Sequence, residues 1–135
     1  MEIKKAEPSD VPAALEMAAR HEMDYEGLEK DDIWMALEAG RLLGIAALRR
    51  FPEGVELCGL VVDSEERHNG VGGRLVQAVL QAVPGDVYLQ TIIPGFFARL
   101  GFDKVDRPPA FIAKPPSWCV GCQRELCTTM LRKRT

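Results

Sequence analysis

The sequence has no long apolar run and no excess of positive charge. Its longest strongly apolar run, residues 42–48, is far too short to cross a bilayer, and residues 1–7 lack an apolar signal core. The formal net charge of −3 gives no general attraction for nucleic acid or for an anionic membrane. The 135 residues are enough for one hydrophobic core. We therefore expect a cytoplasmic protein that binds neither nucleic acid nor membrane.

The glycine-rich segment at residues 67–74 lacks the marks of two common nucleotide-binding motifs. It reads Arg67-His68-Asn69-Gly70-Val71-Gly72-Gly73-Arg74. A P-loop ends in Gly-Lys-Ser/Thr, whereas Arg74 follows Gly73 here, so no hydroxyl for Mg²⁺ is supplied. A Rossmann fingerprint lies in the first βαβ unit, with an acidic residue closing a strand about 20 residues later. This turn lies mid-chain, and Asp86 opens a strand, so neither motif is indicated.

What the segment does offer is a strand, a glycine turn and a helix in succession. It follows the apolar run 57–62 and precedes the helical pattern of residues 75–83. Such a turn presents unpaired backbone N–H groups at the positive end of a helix dipole, which suits a diphosphate. Three glycines let a ligand approach the backbone, while Arg67 and Arg74 add charge or are ordinary surface residues. We predict a diphosphate cradle here.

Hydrophobic periodicity predicts one α/β domain over residues 1–135. A helix capped by Ser9 or Asp10 places apolar residues on one face, namely Val11, Ala14, Leu15 and Ala18. Strands are expected at residues 3–7, 34–38, 42–51, 55–62 and 87–91, with a final strand ending at Arg132. The strands from 34 to 62 form a meander. The strand, helix and strand from 55 to 91 predict a right-handed parallel crossover.

The arrangement Arg-x-x-Gly-x-Gly after a hydrophobic strand resembles the acyl-CoA site of the GNAT superfamily of N-acetyltransferases. A second match lies downstream, where residues 94–102, Pro-Gly-Phe-Phe-Ala-Arg-Leu-Gly-Phe, resemble the short family helix that ends in Leu-Gly-Phe. The two matches occur in the family's order, and the resemblance covers the chain up to Phe102. It implies the GNAT fold, a mixed and mostly antiparallel central sheet with helices on both faces.

The resemblance also implies acetyl-CoA as co-substrate. Its pantetheine arm would pair with the strand that ends at residues 60–62, and its pyrophosphate would sit on the turn at 67–74. The alternatives are that 60–62 is simply a buried strand and that His68 is plain surface. The implied cofactor contacts are Leu60, Val61, Val62, Arg67, His68, Asn69, Gly70, Val71, Gly72, Gly73, Arg74, Phe97 and Arg99.

Glu56 is the candidate catalytic base for attack of an amine on the thioester. It lies on the strand that would carry the cofactor, at a position often acidic in the family. The alternative is an outward-facing strand residue. Many members carry a tyrosine in the helix before Leu-Gly-Phe, whereas this chain has Phe96 and Phe97, which cannot donate a proton. The thiolate would then leave unassisted, take a proton from water, or meet another group.

The last third of the chain narrows the resemblance to one branch. Residues 105–107 are followed by a proline- and cysteine-rich connection, 108–127, and by the final strand. This looks like the amino-acid N-acetyltransferase branch, including N-acetylglutamate synthase-like and arsenic-resistance relatives. That branch implies a small-molecule amine acceptor resembling an amino acid, whose carboxylate needs a cation. Arg107 is the first candidate for this cation, and Arg49 and Lys104 are the other two.

Three cysteines in that connection, Cys119, Cys122 and Cys127, admit three interpretations. A structural zinc site needs four ligands, so Cys58, a histidine or a carboxylate would have to complete it. A regulatory disulfide is unusual in the cytoplasm. Reduced thiols that pack the proline-rich connection are favoured over both, so no metal is expected.

An acidic segment favours other acceptors. Between residues 22 and 38 seven acids face one base, Lys30; the acids are Glu22, Asp24, Glu26, Glu29, Asp31, Asp32 and Glu38. Such a run is usually a solvated loop, but an acidic wall beside the acceptor would favour a protein lysine or a polyamine. The missing tyrosine and the cysteines also allow a non-catalytic acyl-CoA-binding or thiol-sensing module. Exposed edge strands favour a homodimer.

Overall fold

The computed structural model of the chain describes residues 1–66, 69–114 and 127–133. Within these ranges seven strands and three α-helices follow one another, joined in places by short 3-10 turns. In chain order they are β1 (Glu2–Lys5), α1 (Val11–Arg20), β2 (Asp32–Glu38), β3 (Arg41–Phe51), β4 (Gly54–Val62), α2 (Val71–Ala82), β5 (Val87–Thr91), α3 (Pro94–Ala98), β6 (Asp103–Lys104) and β7 (Thr128–Arg132).

All seven described strands form one mixed sheet in the order β1-β2-β3-β4-β5-β7-β6. Strands β2, β3 and β4 are an antiparallel meander, joined by tight turns at Ala39-Gly40 and at residues 52–53. Strand β1 is joined to β2 through α1 and pairs with it antiparallel. Helix α2 then carries the chain across to β5, which runs parallel to β4. The predicted mixed, mostly antiparallel sheet with its meander and parallel crossover is confirmed.

The helices cover both faces of the sheet. Leu75, Val76 and Val79 of α2 are fully buried in a core that includes residues of β2 to β5, β7 and α3. On the other face α1 buries Ala14, Met17 and Ala18 against β2, β3 and β4. The predicted face of α1 was right at both alanines, but it missed Met17. The part of the chain that the structure describes has no helix both long and apolar enough to cross a membrane.

Two features of β4 shape the region beside it. In the β3–β4 pairing Ala47 lies opposite Gly59 and Leu48 opposite Leu57, so Cys58 is an extra residue that forms a β-bulge. The parallel pairing with β5 joins only Val55 to Val87 and Glu56 to Tyr88. Strands β4 and β5 therefore separate beyond Glu56, and a gap opens between their carboxyl ends. Its β4 edge carries backbone groups that a ligand can pair with.

Candidate functional site

The gap between β4 and β5 leads to the amino end of α2, which begins within the glycine-rich segment. Gly70 is the N-cap, with φ of 78°, and no side chain caps the helix. The Arg74 N–H donates to the Gly70 carbonyl at 3.2 Å, so the N–H groups of the three preceding residues have no acceptor within the helix. Among the described residues, a Cβ atom at Gly70 or Gly73 would meet nothing within 4 Å. This helix end is therefore open and attractive to an anion.

Gly72 closes the other side of the same helix turn. A Cβ atom there would lie 3.3 Å from Phe96 Cζ, 3.5 Å from Val62 Cγ2 and 3.7 Å from Leu60 Cδ2. Helix α2 therefore packs closely against the end of β4 and against α3 at Gly72, where a larger side chain would contact both. The predicted residues Leu60, Val62 and Gly72 are brought together, at the mouth of the gap.

The polar residues predicted for the cradle are distributed differently. Asn69 donates from Nδ2 to Glu66 Oε2 at 2.6 Å, and Glu66 also pairs with Arg41, so this side chain fastens the turn. Arg74 is exposed and lines a cavity of about 390 Å³ together with Lys5 and other residues of β1, β2 and α2. It lies two residues from Gly72, on a different face of α2. Arg67 and His68 lie outside the described residues.

Phe96 rather than Phe97 borders the gap. Phe97 is 6% exposed and packs edge-on against Phe96 and Phe102 in the core, whereas Phe96 is half-buried beside Gly72. Arg99 is exposed. The sequence predicted Phe97 as the cofactor contact, because a five-residue helix is too short for its periodicity to show which side faces the core.

Glu56 lies where the gap begins and is 2% exposed, so the outward-facing alternative is wrong. Its two carboxylate oxygens accept hydrogen bonds from Lys114 Nζ at 2.5 and 2.7 Å. The same ammonium group donates to the Ile112 carbonyl at 3.1 Å. Nothing in the sequence pointed to Lys114, which is 58 positions from Glu56 in the proline-rich connection. The candidate base is therefore buried in an ion pair.

The Cys58 side chain lies on the same face of β4 as Glu56, two residues away along the strand. Cys58 Sγ lies 3.4 Å from Glu56 Oε1 and donates to it. Burial, followed by the negative charge of Glu56, raises the pKa of the Cys58 thiol above its ordinary value. The thiol therefore stays protonated at neutral pH.

We expect the Cys58 thiol to react slowly with a disulfide reagent in the folded protein. The measurement uses a variant with serine at positions 119, 122 and 127, so that Cys58 is the one cysteine left. Because the raised pKa lowers the thiolate fraction, the rate at pH 8 should be at least about tenfold below that of the urea-unfolded variant. Raising the pH further should increase the folded rate. Equal rates in both states at pH 8 would contradict this placement of the thiol.

A second polar group lies on the same face of the sheet. Arg49 is opposite Glu56 in the β3–β4 register, and its Nε donates to Asp31 Oδ1 at 2.9 Å. The Tyr25 hydroxyl donates to Asp31 Oδ2 at 2.5 Å, and the Arg49 guanidinium stacks 5.3 Å from the ring centroid of Tyr25. Burial, together with the bond to Asp31, raises the pKa of Tyr25. Tyr25 also covers Gly59, whose Cβ would lie 3.4 Å from its ring.

Arg49 also lines a cavity of about 550 Å³ beside this group. Its ionisable lining is balanced, with three acids and three bases: Glu26, Asp31, Asp32, Lys30, Arg49 and Arg50. Asp31 is paired with Arg49, and Asp32 with Arg50 at 2.7 Å. The acidic segment seen in the sequence therefore does not form an acidic wall at this cavity, since arginines of β3 neutralise two of its carboxylates.

The other two candidate carboxylate binders are exposed. Lys104 is exposed on the edge strand β6, which β5 and β7 separate from β4. Arg107 is exposed in the connection after β6. Of the three cysteines in the connection, Cys127 is described and exposed, while Cys119 and Cys122 lie outside the described residues. Among the side chains that the structure does describe, no group of three metal ligands occurs.

Comparison with known proteins extends the resemblance noted in the sequence. The family model described as Acetyltransferase (GNAT) family matches residues 2–102. The comparison with curated protein sequences gives no significant match.

Solved structures share the fold at low identity. Rv2747 from Mycobacterium tuberculosis, in complex with CoA and NLQ, superposes with a TM-score of 0.75 at 20% identity, covering 98% of this chain and 99% of that one. N-acetylglutamate synthase from Neisseria gonorrhoeae, with CoA and N-acetyl-glutamate, gives 0.75 at 19% identity, covering 99% of this chain and 35% of that one. Tetrahymena GCN5 gives 0.76 at 15% identity, covering 100% and 97%.

Proposed function

The chain belongs to the acetyltransferase (GNAT) family, and we propose that this acetyl-CoA-dependent N-acetyltransferase uses the amine of a small amino acid-like molecule as its acceptor. The observation that carries the proposal is the charge-balanced cavity beside Arg49, on the same face of the sheet as Glu56. A zwitterionic amino acid needs both a cation for its carboxylate and an anion for its ammonium group. The cavity supplies Arg49 and Lys30 as cations and Glu26 as a carboxylate, beside the Arg49–Asp31 and Arg50–Asp32 pairs.

The cofactor is proposed to lie in the gap between β4 and β5. Its pantetheine arm pairs with the backbone of residues 57–62. Its pyrophosphate accepts hydrogen bonds from the backbone N–H groups of Val71, Gly72 and Gly73. The positive φ of Gly70 and the open space beside Gly73 support this placement. Arg67 remains the predicted charged partner of the pyrophosphate, and Phe96 the apolar wall next to Gly72.

Glu56 is proposed to accept the proton of the acceptor ammonium group. The free amine then attacks the acetyl carbonyl, the C–N bond forms and the C–S bond breaks. The second proton of the attacking nitrogen passes through solvent to the CoA thiolate. Backbone N–H groups near Val61 or Val62 would polarise the carbonyl. For this proton transfer the acceptor ammonium group must displace Lys114 from the Glu56 carboxylate. The Tyr25 hydroxyl donates its hydrogen bond to Asp31. We therefore regard Tyr25 as a positioning residue rather than as the leaving-group acid.

Arg49 is favoured over Arg107 as the carboxylate-binding cation. Burial lowers the pKa of Arg49, but the hydrogen bond to Asp31 and the charge of Asp31, with smaller contributions from Cys58 and Tyr25, together raise the pKa, so the guanidinium stays charged. Stacking on Tyr25 and pairing with Asp31 also hold it in one orientation. A polyamine or a lysine-rich peptide would need an excess of negative charge here, which the paired aspartates do not supply.

Release of CoA from acetyl-CoA tests the proposed acceptor class directly. The assay is run under reducing conditions and corrected for protein thiols, with glutamate, glutamine, other amino acids, polyamines and a lysine peptide as acceptors. Turnover with one or more amino acids, with the N-acetyl product identified by mass spectrometry, is the expected result. Turnover with cationic amines alone would replace the amino acid by a polyamine or protein lysine. Acetyl-CoA binding without any turnover would favour the non-catalytic module.

Arg49→Gln should raise the KM for the amino acid about tenfold to a hundredfold, because a charge-assisted bond to the carboxylate is lost. The KM for acetyl-CoA should change little, since Arg49 lies on β3, across β4 from the gap. Arg107→Gln is the comparison variant, because this exposed arginine is the other candidate for binding the carboxylate. If Arg107→Gln raises the KM and Arg49→Gln does not, the carboxylate site is at Arg107.

A further inference from the structure

We propose that Lys114 is an acetylation site of the enzyme itself, modified from bound acetyl-CoA when no acceptor is present. The inference rests on the proposed function, because it uses the same cofactor site and the same base. It starts from the contact between Lys114 and Glu56, in which an ammonium group donates to both oxygens of the candidate base at 2.5 and 2.7 Å. That is the position an acceptor ammonium must take to be deprotonated.

The pair lies beside the proposed path of the thioester. Glu56 is the last residue of β4 that pairs with β5, so the gap begins at the next residue. The Glu56 side chain is 2% exposed and that of Lys114 is 19% exposed, so the pair is largely shielded from water. An amine released by proton transfer within such a pair stays next to the gap, where the acetyl group of the bound cofactor would arrive.

The backbone around Lys114 is fastened to the sheet. Phe111 packs edge-on against Phe51 and Tyr88, with ring centroids 5.2 and 5.7 Å apart, and Ile112 is 1% exposed. Lys114 Nζ also donates to the Ile112 carbonyl. Holding an amine in one place beside a reactive group raises its effective concentration far above that of a free amine. Lys114 is therefore presented as a bound acceptor is.

Other described lysines are not placed in this way. Lys4 and Lys5 lie on β1 and pair with Asp10 and Asp32, respectively. Strands β2 and β3 separate β1 from β4. Lys104 is exposed on the opposite edge strand, β6, and Lys133 is exposed after β7. Lys30 is exposed in the segment before β2, where it lines the cavity of about 550 Å³. Modification directed by the active site should therefore select Lys114, whereas chemical acetylation in solution favours exposed lysines.

The step is balanced by groups already named. Glu56 takes one proton from the Lys114 ammonium, and the amine nitrogen forms a bond to the acetyl carbon. The C–S bond breaks, its electron pair leaves with the CoA sulfur, and the second proton of the attacking nitrogen passes through solvent to the thiolate. Glu56 then returns its proton to solvent. The products are CoA and an uncharged amide at Lys114, which can no longer pair with Glu56 as an ion.

The test is a single incubation of the full chain with acetyl-CoA and no acceptor. We expect release of one CoA per chain and one acetyl group per chain, located at Lys114 by peptide mass spectrometry. Lys114→Arg, which keeps the positive charge, should lose both signals, and Glu56→Gln should slow the modification. Lys104→Arg is the control and should leave the stoichiometry unchanged. The melting temperature of each variant establishes that it is folded.

Three results would overturn the inference, and they differ in what else they affect. Turnover of an amino acid with Lys114 unmodified overturns it and leaves the proposed function standing. Acetyl groups spread over exposed lysines, at the same rates with and without Glu56, assign the modification to solution chemistry. An absence of both acceptor turnover and acetylated Lys114 overturns the inference and the proposed function together.

Discussion

Gly72→Leu is expected to weaken acetyl-CoA binding at least about a hundredfold, the largest effect of any single change on the cofactor site. A Cβ atom at this position already lies 3.3 Å from the Phe96 ring and 3.5 Å from Val62. The rest of a leucine side chain would fill the space between α2 and the end of β4, where the pantetheine and pyrophosphate are proposed to meet. Leucine is a good helix former, so the helix itself should persist. Isothermal titration with acetyl-CoA measures the loss.

The matched control is Gly85→Leu. Gly85 lies between α2 and β5, its φ is not positive, and a Cβ atom there would meet nothing within 4 Å. It should bind acetyl-CoA as the wild-type chain does. Circular dichroism of both variants separates a lost site from a lost fold. A folded Gly72→Leu protein with wild-type affinity would refute the cradle at the amino end of α2.

Glu56→Gln should lower kcat by about a hundredfold to ten-thousandfold, the range typical for loss of a general base. Glutamine has nearly the same shape as glutamate but cannot take up the acceptor proton. Because the cofactor is proposed to contact the backbone of β4 rather than this side chain, its affinity for acetyl-CoA should be nearly unchanged. Steady-state CoA release with the best amino acid acceptor, combined with a binding titration, checks both expectations.

Lys114→Gln separates catalysis from stability in that experiment. Both substitutions break the Glu56–Lys114 ion pair, and both should lower the free energy of unfolding, because a partly buried charge loses its partner. Lys114→Gln, however, leaves the Glu56 carboxylate in place to act as a base. Equal losses of kcat in the two variants would make Glu56 a structural ion-pair partner, whereas a much larger loss in Glu56→Gln identifies it as the base.

The sequence was sufficient for most of the fold because the sheet is built from local patterns. Apolar runs bounded by Gly and Pro predicted β3, β4 and β5, and all three lie within a residue or two of their expected bounds. Helix α2 starts earlier than the apolar pattern suggested, since Gly70 in a left-handed conformation lets residues 71–73 join the helix. The two-residue strand β6 was missed because two residues show no periodicity.

The parts of the site that could be predicted are likewise those built from one contiguous segment of the chain. The glycine turn is contiguous in the chain, so its motif could be read directly. The surroundings of Glu56 could not be, because they come from distant segments: Lys114 from the connection before β7, and Tyr25 and Asp31 from the segment before β2. The bulge at Cys58 is also invisible in an apolar run. Burial of Glu56 followed from these tertiary contacts.

A crystal structure of the complex with acetyl-CoA tests the central claim most directly. We expect the pyrophosphate to bind the backbone N–H groups of residues 71–73 and the pantetheine to pair with β4 in the gap next to β5. The acetyl carbon should lie near Glu56. A cofactor bound with its acetyl group remote from Glu56, or bound away from the gap between β4 and β5, would contradict it.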